Sequence, residues 1–141
     1  NISEALVIGI IQYFNMKIIN TPNMPVSNGH YSQCIEHNGI LYLSGQLPIE
    51  RETKTIPATI EEQTDLVFKN VETILKEAGS NKKNVLQVRV YISSINLWDK
   101  VNDGYSNFFE DHKPVRCIIP TRELHFGSLI EVEITAISKN K

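Results

Sequence analysis

Cysteine is scarce in this chain, with only Cys34 and Cys117 among 141 residues. They lie far apart and in no C-x-x-C arrangement, so neither a disulfide framework nor a zinc site is expected, and a reducing, cytoplasmic setting fits best. A basic stripe is also missing. Fourteen Lys and Arg are interspersed with 16 Asp and Glu for a formal charge of −2, which makes a phosphate backbone a poor partner. The apolar run from Ala5 to Ile11 covers seven residues, too few to span a bilayer. No cation precedes it and no small-residue cleavage site follows, so a secretory signal is not expected either. The four histidines, His30, His37, His112 and His125, are dispersed without metal-ligand spacing, and none is assigned a catalytic role. Internal repeats and low-complexity segments are absent.

What remains is an ordinary globular composition, 41% apolar and 21% charged, in a chain of one-domain length. Met16 looks like a natural start. Residues 1–15 are therefore expected to be an N-terminal extension, which could derive from cloning, and residues 16–141 a single domain. Lys17 to Asn20 make a short strand candidate, followed by a turn-rich loop from Thr21 to Gly29. Strands are expected at Tyr31–Glu36 and Ile40–Gly45, joined at Asn38-Gly39, where both turn residues tolerate positive φ. After a polar loop between Pro48 and Pro57, Thr59 with Glu62 reads as a capping box. Leu66, Val67, Val71, Ile74, Leu75 and Ala78 then recur at helical spacing up to a stop at Gly79.

From Val85 to Ser93 the period changes to two, with Leu86, Val88, Val90 and Ile92 on one face and Val85, Gln87, Arg89 and Tyr91 on the other. A second helix, capped by Asn96, is expected to turn Trp98, Val101, Tyr105, Phe108 and Phe109 inward until Pro114 stops it. Cys117–Ile119 and Leu129–Ser138 close the chain as strands. In the last one Ile130, Val132, Ile134 and Ala136 share a face, which places Glu131 and Glu133 on the opposite one. The fold class is α+β. Two helices cover one sheet face, so the other, carrying Gln87, Arg89, Tyr91, Leu129, Glu131 and Glu133, is expected to meet another subunit.

Several motifs recur in a fixed order: Gly29-His30-Tyr31-Ser32-Gln33, Ser44-Gly45-Gln46, Gln63 through Asn70, Val101-Asn102 with Tyr105 and Phe109, Pro114-Val115-Arg116, and Ile130-Glu131-Val132-Glu133. On these, from Ile18 to Ile137, the chain resembles the Rid family, also called YjgF. The resemblance implies a chorismate-mutase-like (YjgF) fold, a mixed sheet with two helices on one face, and a homotrimer with clefts between subunits. It also implies hydrolysis of reactive 2-imino or enamino acids to 2-keto acids and ammonia, an activity of the 2-iminobutanoate/2-iminopropanoate deaminase type. No cofactor or metal belongs to that chemistry.

By the same resemblance Arg116 would hold the substrate carboxylate and Glu131 would manage the water. Tyr31, Ser44, Gly45 and Asn102 would line the cleft, with Cys117 and Ile118 beside Arg116. The chemistry agrees, because a planar guanidinium takes a carboxylate through two parallel hydrogen bonds, and one carboxyl group can serve in turn as base and acid.

The chain departs from the family pattern where His30 replaces a proline, Ile118 a cysteine, and His125 the proline that follows Leu124. Ile118 can still act through its backbone amide. His30 and His125 put substrate choice in question more than architecture, and they motivate an alternative role as a small-carboxylate-binding regulatory or chaperone-like protein with little turnover. A ribonuclease follows from a name often attached to the family, but the acidic balance and missing basic groove argue against it.

Plainer readings stand beside these. Without the resemblance, Arg116 next to a strand is more often an ion-pair partner of Glu131 or Glu133. For Glu133 the plainer reading leads, with Arg89 as its partner across the sheet. Cys117 is expected to be a buried, inert thiol, and Trp98, Phe108 and Phe109 core residues.

Overall fold

The computed structural model describes residues 2–6, 15–25 and 27–139, with residues 2–6 helical. Most of the expected extension, including residues 7–11 of its apolar run, lies outside the described residues. Among the described residues six strands form one mixed sheet in the order β1-β2-β3-β6-β4-β5. They are β1 (Met16–Ile19), β2 (Cys34–His37), β3 (Ile40–Gln46), β4 (Val85–Ile92), β5 (Val115–Pro120) and β6 (Ile130–Ile137). Helices α1 (Ile60–Glu77) and α2 (Trp98–Phe109) complete the α+β fold. β4 and β5 run parallel, joined through α2 as a crossover, and the other strand pairs among the described residues are antiparallel.

The central strand is β6, between β3 and β4. Its Ile130, Val132, Ile134 and Ala136 are buried against the helices, as strict alternation demands when one face is covered. Asn38 and Gly39 have φ of 50° and 80°, so the β2–β3 hairpin turns where the sequence indicates. Thr59 Oγ1 accepts from the Glu62 amide at 3.2 Å to open α1, and Gly79 with φ 78° ends it. Gln63 reaches from the first turn of α1 in both directions. Its Nε2 donates to the Pro57 carbonyl and its Oε1 accepts from the Leu129 amide, each at 2.8 Å, which ties the loop before α1 to the start of β6. Helix α2 packs on α1 through the rings of Phe68, Tyr105, Phe108 and Phe109 and through Gly104, which leaves room for Thr64.

Several expectations are corrected. β2 begins at Cys34 rather than Tyr31, because the preceding backbone is engaged elsewhere: the Gln33 amide donates to Asn20 Oδ1 at 3.0 Å and the Ser32 carbonyl accepts from the Ser44 hydroxyl. A register shift between Val85 and Gln87 reverses the two faces there, leaving Val85 1% and Leu86 40% exposed. The turn before α2 is capped by Ser94, whose Oγ accepts from the Asn96 amide at 3.3 Å, not by Asn96. Trp98 opens α2 and is 36% exposed instead of buried. Leu129 precedes β6 and packs against the core rather than on the open face.

Candidate functional site

The spacing of α2 determines what surrounds Arg116. Trp98, Asn102 and Tyr105 stand at i, i+4 and i+7, one stripe of a helix, and that stripe overlies β5. Arg116 is aligned with the buried Val88 across the parallel β4–β5 ladder, so its side chain leaves the sheet on the helix side. There its Nη1 donates to Asn102 Oδ1 at 2.8 Å. Its Cζ lies 4.6 Å from the Tyr105 ring centre and 5.7 Å from that of Trp98. Among the described residues Arg116 has no carboxylate partner. The plainer reading, an ion pair with Glu131 or Glu133, is not what forms: Glu133 accepts from Tyr91 at 3.1 Å and pairs with Arg89 at 3.6 Å. A cavity of about 300 Å³ adjoins the guanidinium, with Asn102, Tyr105, Ser106, His112 and Lys113 in its wall. Burial pushes the Tyr105 phenol up to about 12, opposed by the Arg116 charge, so the ring stays neutral at every physiological pH.

Glu131 occupies the other face of the sheet. It is aligned with Tyr91 across β4–β6, and its carboxylate lies on the bare backbone of Gly45, where β3 bulges between Leu43 and Gln46. A side chain at residue 45 would collide with that carboxylate. Among the described residues Glu131 makes no hydrogen bond or ion pair. Burial raises its pKa from the ordinary 4.5, the positive potential of nearby His125 works against the rise, and Glu133 adds to it. A half-buried carboxyl held in this way binds its proton more tightly than an exposed one, which suits a group that must both take up and release a proton. His125 opens a tight turn through Phe126, which is 75% exposed at φ 58°; its ring meets that of His125 edge-on. Ser44 anchors the same end of β3 through its bonds to Ser32 and Gln33. Tyr31 is exposed, its ring against Gly29.

The site residues expected from sequence thus fall into two groups. Arg116 and Asn102 meet on the helix side, with Ile118 on the same face and packed against the core. Glu131 meets Gly45 on the open side. Because β4 separates the strands that carry them, and the two side chains leave on opposite faces, one chain does not bring Arg116 and Glu131 together. Cys117 is exposed, correcting the expectation of a buried thiol: alternation along β5 turns it to the open face, aligned with Arg89. Trp98 and Tyr105 were not among the expected site residues. Their common spacing with Asn102 was the available signal, but aromatic residues at helical spacing read first as core.

The model of the endoribonuclease L-PSP family matches residues 21–138. This chain belongs to that family, the Rid family. A Rid relative in Aquifex aeolicus, described as a RutC family protein, is 40% identical over 124 residues, covering 86% of this chain and 99% of its own. Among solved structures, YyfA from Yersinia pestis, of the conserved Rid protein family, is 38% identical with a TM-score of 0.84, covering 87% of this chain and 99% of its own. TdcF from E. coli, solved with bound serine, is 30% identical with a TM-score of 0.82, covering 86% of this chain and 98% of its own. The YjgF-type fold expected for the Rid family is therefore the fold found. Among the described residues no group of three or more His, Cys, Asp or Glu could hold a metal ion, and no helix is long and apolar enough to cross a membrane.

Proposed function

We propose that this Rid protein hydrolyses small 2-imino acids and their enamine tautomers to 2-keto acids and ammonia, in clefts between the subunits of a cytoplasmic homotrimer. The observation that carries the reading is the state of Arg116, a full positive charge held by a neutral amide and two aromatic rings, with no acidic partner among the described residues. Such a guanidinium is matched by a small carboxylate. The serine bound to the similar TdcF carries a carboxylate of this size.

Glu131 serves the other half of the reaction. With its pKa raised by burial, it takes a proton from water as the oxygen adds to the C=N carbon and passes it to the nitrogen, giving a carbinolamine. It then takes the hydroxyl proton and delivers it to the same nitrogen as the C–N bond breaks and the C=O bond forms, so that ammonia leaves. The reaction balances with water alone, and acid–base help of this kind is worth about 10²–10⁴-fold. Since Arg116 and Glu131 leave the sheet on opposite faces, a substrate that meets both sits between chains. Tyr31, Ser44 and Gly45 line the Glu131 side of that cleft, the side to which Cys117 also turns; Asn102 and Ile118 line the Arg116 side.

The test is to supply imines in situ from serine or threonine dehydratase and follow ammonia and keto-acid release. Arg116→Ala should reduce the rate to background, and equal rates would reject the site. The same separation of the two groups favours a second reading, carboxylate binding for regulation with little turnover, since Arg116 can hold an acid without Glu131. Keto-acid binding by calorimetry with no detectable ammonia would select it.

A further inference from the structure

Arginine side chains carry several rotatable bonds, and an exposed guanidinium that must present one edge to a ligand loses affinity to every alternative orientation. Three groups of α2 limit that freedom here. Asn102 Oδ1 engages Nη1 at 2.8 Å, while the guanidinium carbon lies 4.6 Å from the centre of the Tyr105 ring and 5.7 Å from that of Trp98. Both rings are within cation–π range. They have different support. Tyr105 is 7% exposed and braced by Phe68 at 5.6 Å and Phe109 at 4.7 Å; Trp98, at the start of the helix, is 36% exposed. The Tyr105 hydroxyl is buried and has no hydrogen-bond partner among the described residues. What this residue offers to its surroundings is therefore its ring.

We propose that Trp98 and Tyr105 are positioning residues for Arg116: their rings hold the guanidinium while Asn102 takes one of its edges, so that another edge stays directed at the ligand carboxylate. The proposal rests on the carboxylate-binding reading of Arg116 and extends it to two residues that touch the guanidinium rather than the substrate. It also accounts for an exposed tryptophan at the first position of α2, where a core role is excluded by its exposure.

The experiment is calorimetric titration with 2-oxobutanoate, with kcat and KM measured on the corresponding imine. Trp98→Gln keeps reach without a π face and should weaken binding roughly 2- to 30-fold, the range of a cation–π contact. It should raise KM and leave kcat near wild type, because the contact is made equally in the bound and transition states. Trp98→Phe should recover most of the loss. Tyr105→Phe keeps the ring and should bind like wild type with an equal or higher melting temperature. If Trp98→Gln binds like wild type, or Tyr105→Phe loses affinity as Trp98→Gln does, the positioning role is overturned; the second result would make the hydroxyl the working group. Loss of binding in Arg116→Ala alone would leave the carboxylate reading standing. If the wild type takes no 2-oxobutanoate, or Arg116→Ala binds it equally well, that reading fails and the proposal falls with it.

Discussion

Gly45 lies where β3 bulges past β6, with the Glu131 carboxylate resting on its backbone. Replacing it with alanine sets a methyl group against Glu131: the new carbon would be 3.2 Å from Cδ and 3.5 Å from Cγ, with Oε1 nearer still. To regain ordinary van der Waals separation the carboxylate oxygen must retreat by about 1 Å. The backbone has little to lose, since Gly45 is not among the positive-φ glycines. Alanine there even lowers the entropy of the unfolded chain by the equivalent of about 0.4–1 kcal/mol, while the flexible end of Glu131 can swing aside.

Stability should therefore change by less than about 1 kcal/mol. Catalysis should suffer more, because displacing a catalytic group by about 1 Å costs on the order of 100-fold. Ammonia release from dehydratase-generated imine would read kcat/KM, and urea unfolding would read stability. Activity within threefold of wild type would refute the assignment of Glu131. A loss of more than about 2 kcal/mol would show that the backbone, not the carboxylate, absorbs the strain.

Glu131 also gives a pH signature. Burial raises its pKa above 4.5 in the folded chain, so the folded state holds this proton more tightly than the unfolded one, and stability is lost as pH rises through the folded value. Glu131→Gln should thus gain on wild type in melting temperature as pH rises above 4.5, and a difference that does not grow with pH would contradict the burial argument. Gln63→Ala strands the Pro57 carbonyl and the Leu129 amide, both bonded at 2.8 Å, and should cost about 2–4 kcal/mol in urea unfolding; a loss under 1 kcal/mol would mean that water replaces the amide. Gly104→Ala would bring a methyl to 2.6 Å from Thr64 Cγ2. It should cost about 1–2 kcal/mol after the helix-propensity gain, and adding Thr64→Ala should restore most of it.

Local chemistry made much of the fold legible. The Asn38-Gly39 turn, the Thr59 cap, the Gly79 stop and the alternation of β6 each have a cause confined to a few residues, and each occurs where those residues imply. Some misses have a non-local cause, while the Ser94 cap and the start of α2 at Trp98 turn on immediate neighbours. Val85 and Leu86 are equally apolar, and only a register shift against β6 decides which enters the core. Trp98 carries the hydrophobicity of a core residue, but the short turn Ile95–Leu97 sets where α2 begins and leaves the indole at the surface. At the candidate site, sequence resemblance supplied Arg116 and Glu131, and the parity of Glu131 along β6 was already readable. The parity of Arg116 was not, because β5 is an edge strand with only its parallel ladder to β4 to fix its facing.

The placement of Arg116 and Glu131 on opposite sides of one sheet has a genetic consequence. If a cleft takes its cation from one chain and its carboxylate from another, Arg116→Ala and Glu131→Gln disable different halves, and a cell making both could complement them in mixed assemblies. Either variant made in excess over wild type would lower intact clefts only in proportion to its share, because each still supplies the group that the other lacks. An imine-sensitive strain carrying both alleles would then outgrow a strain carrying either alone.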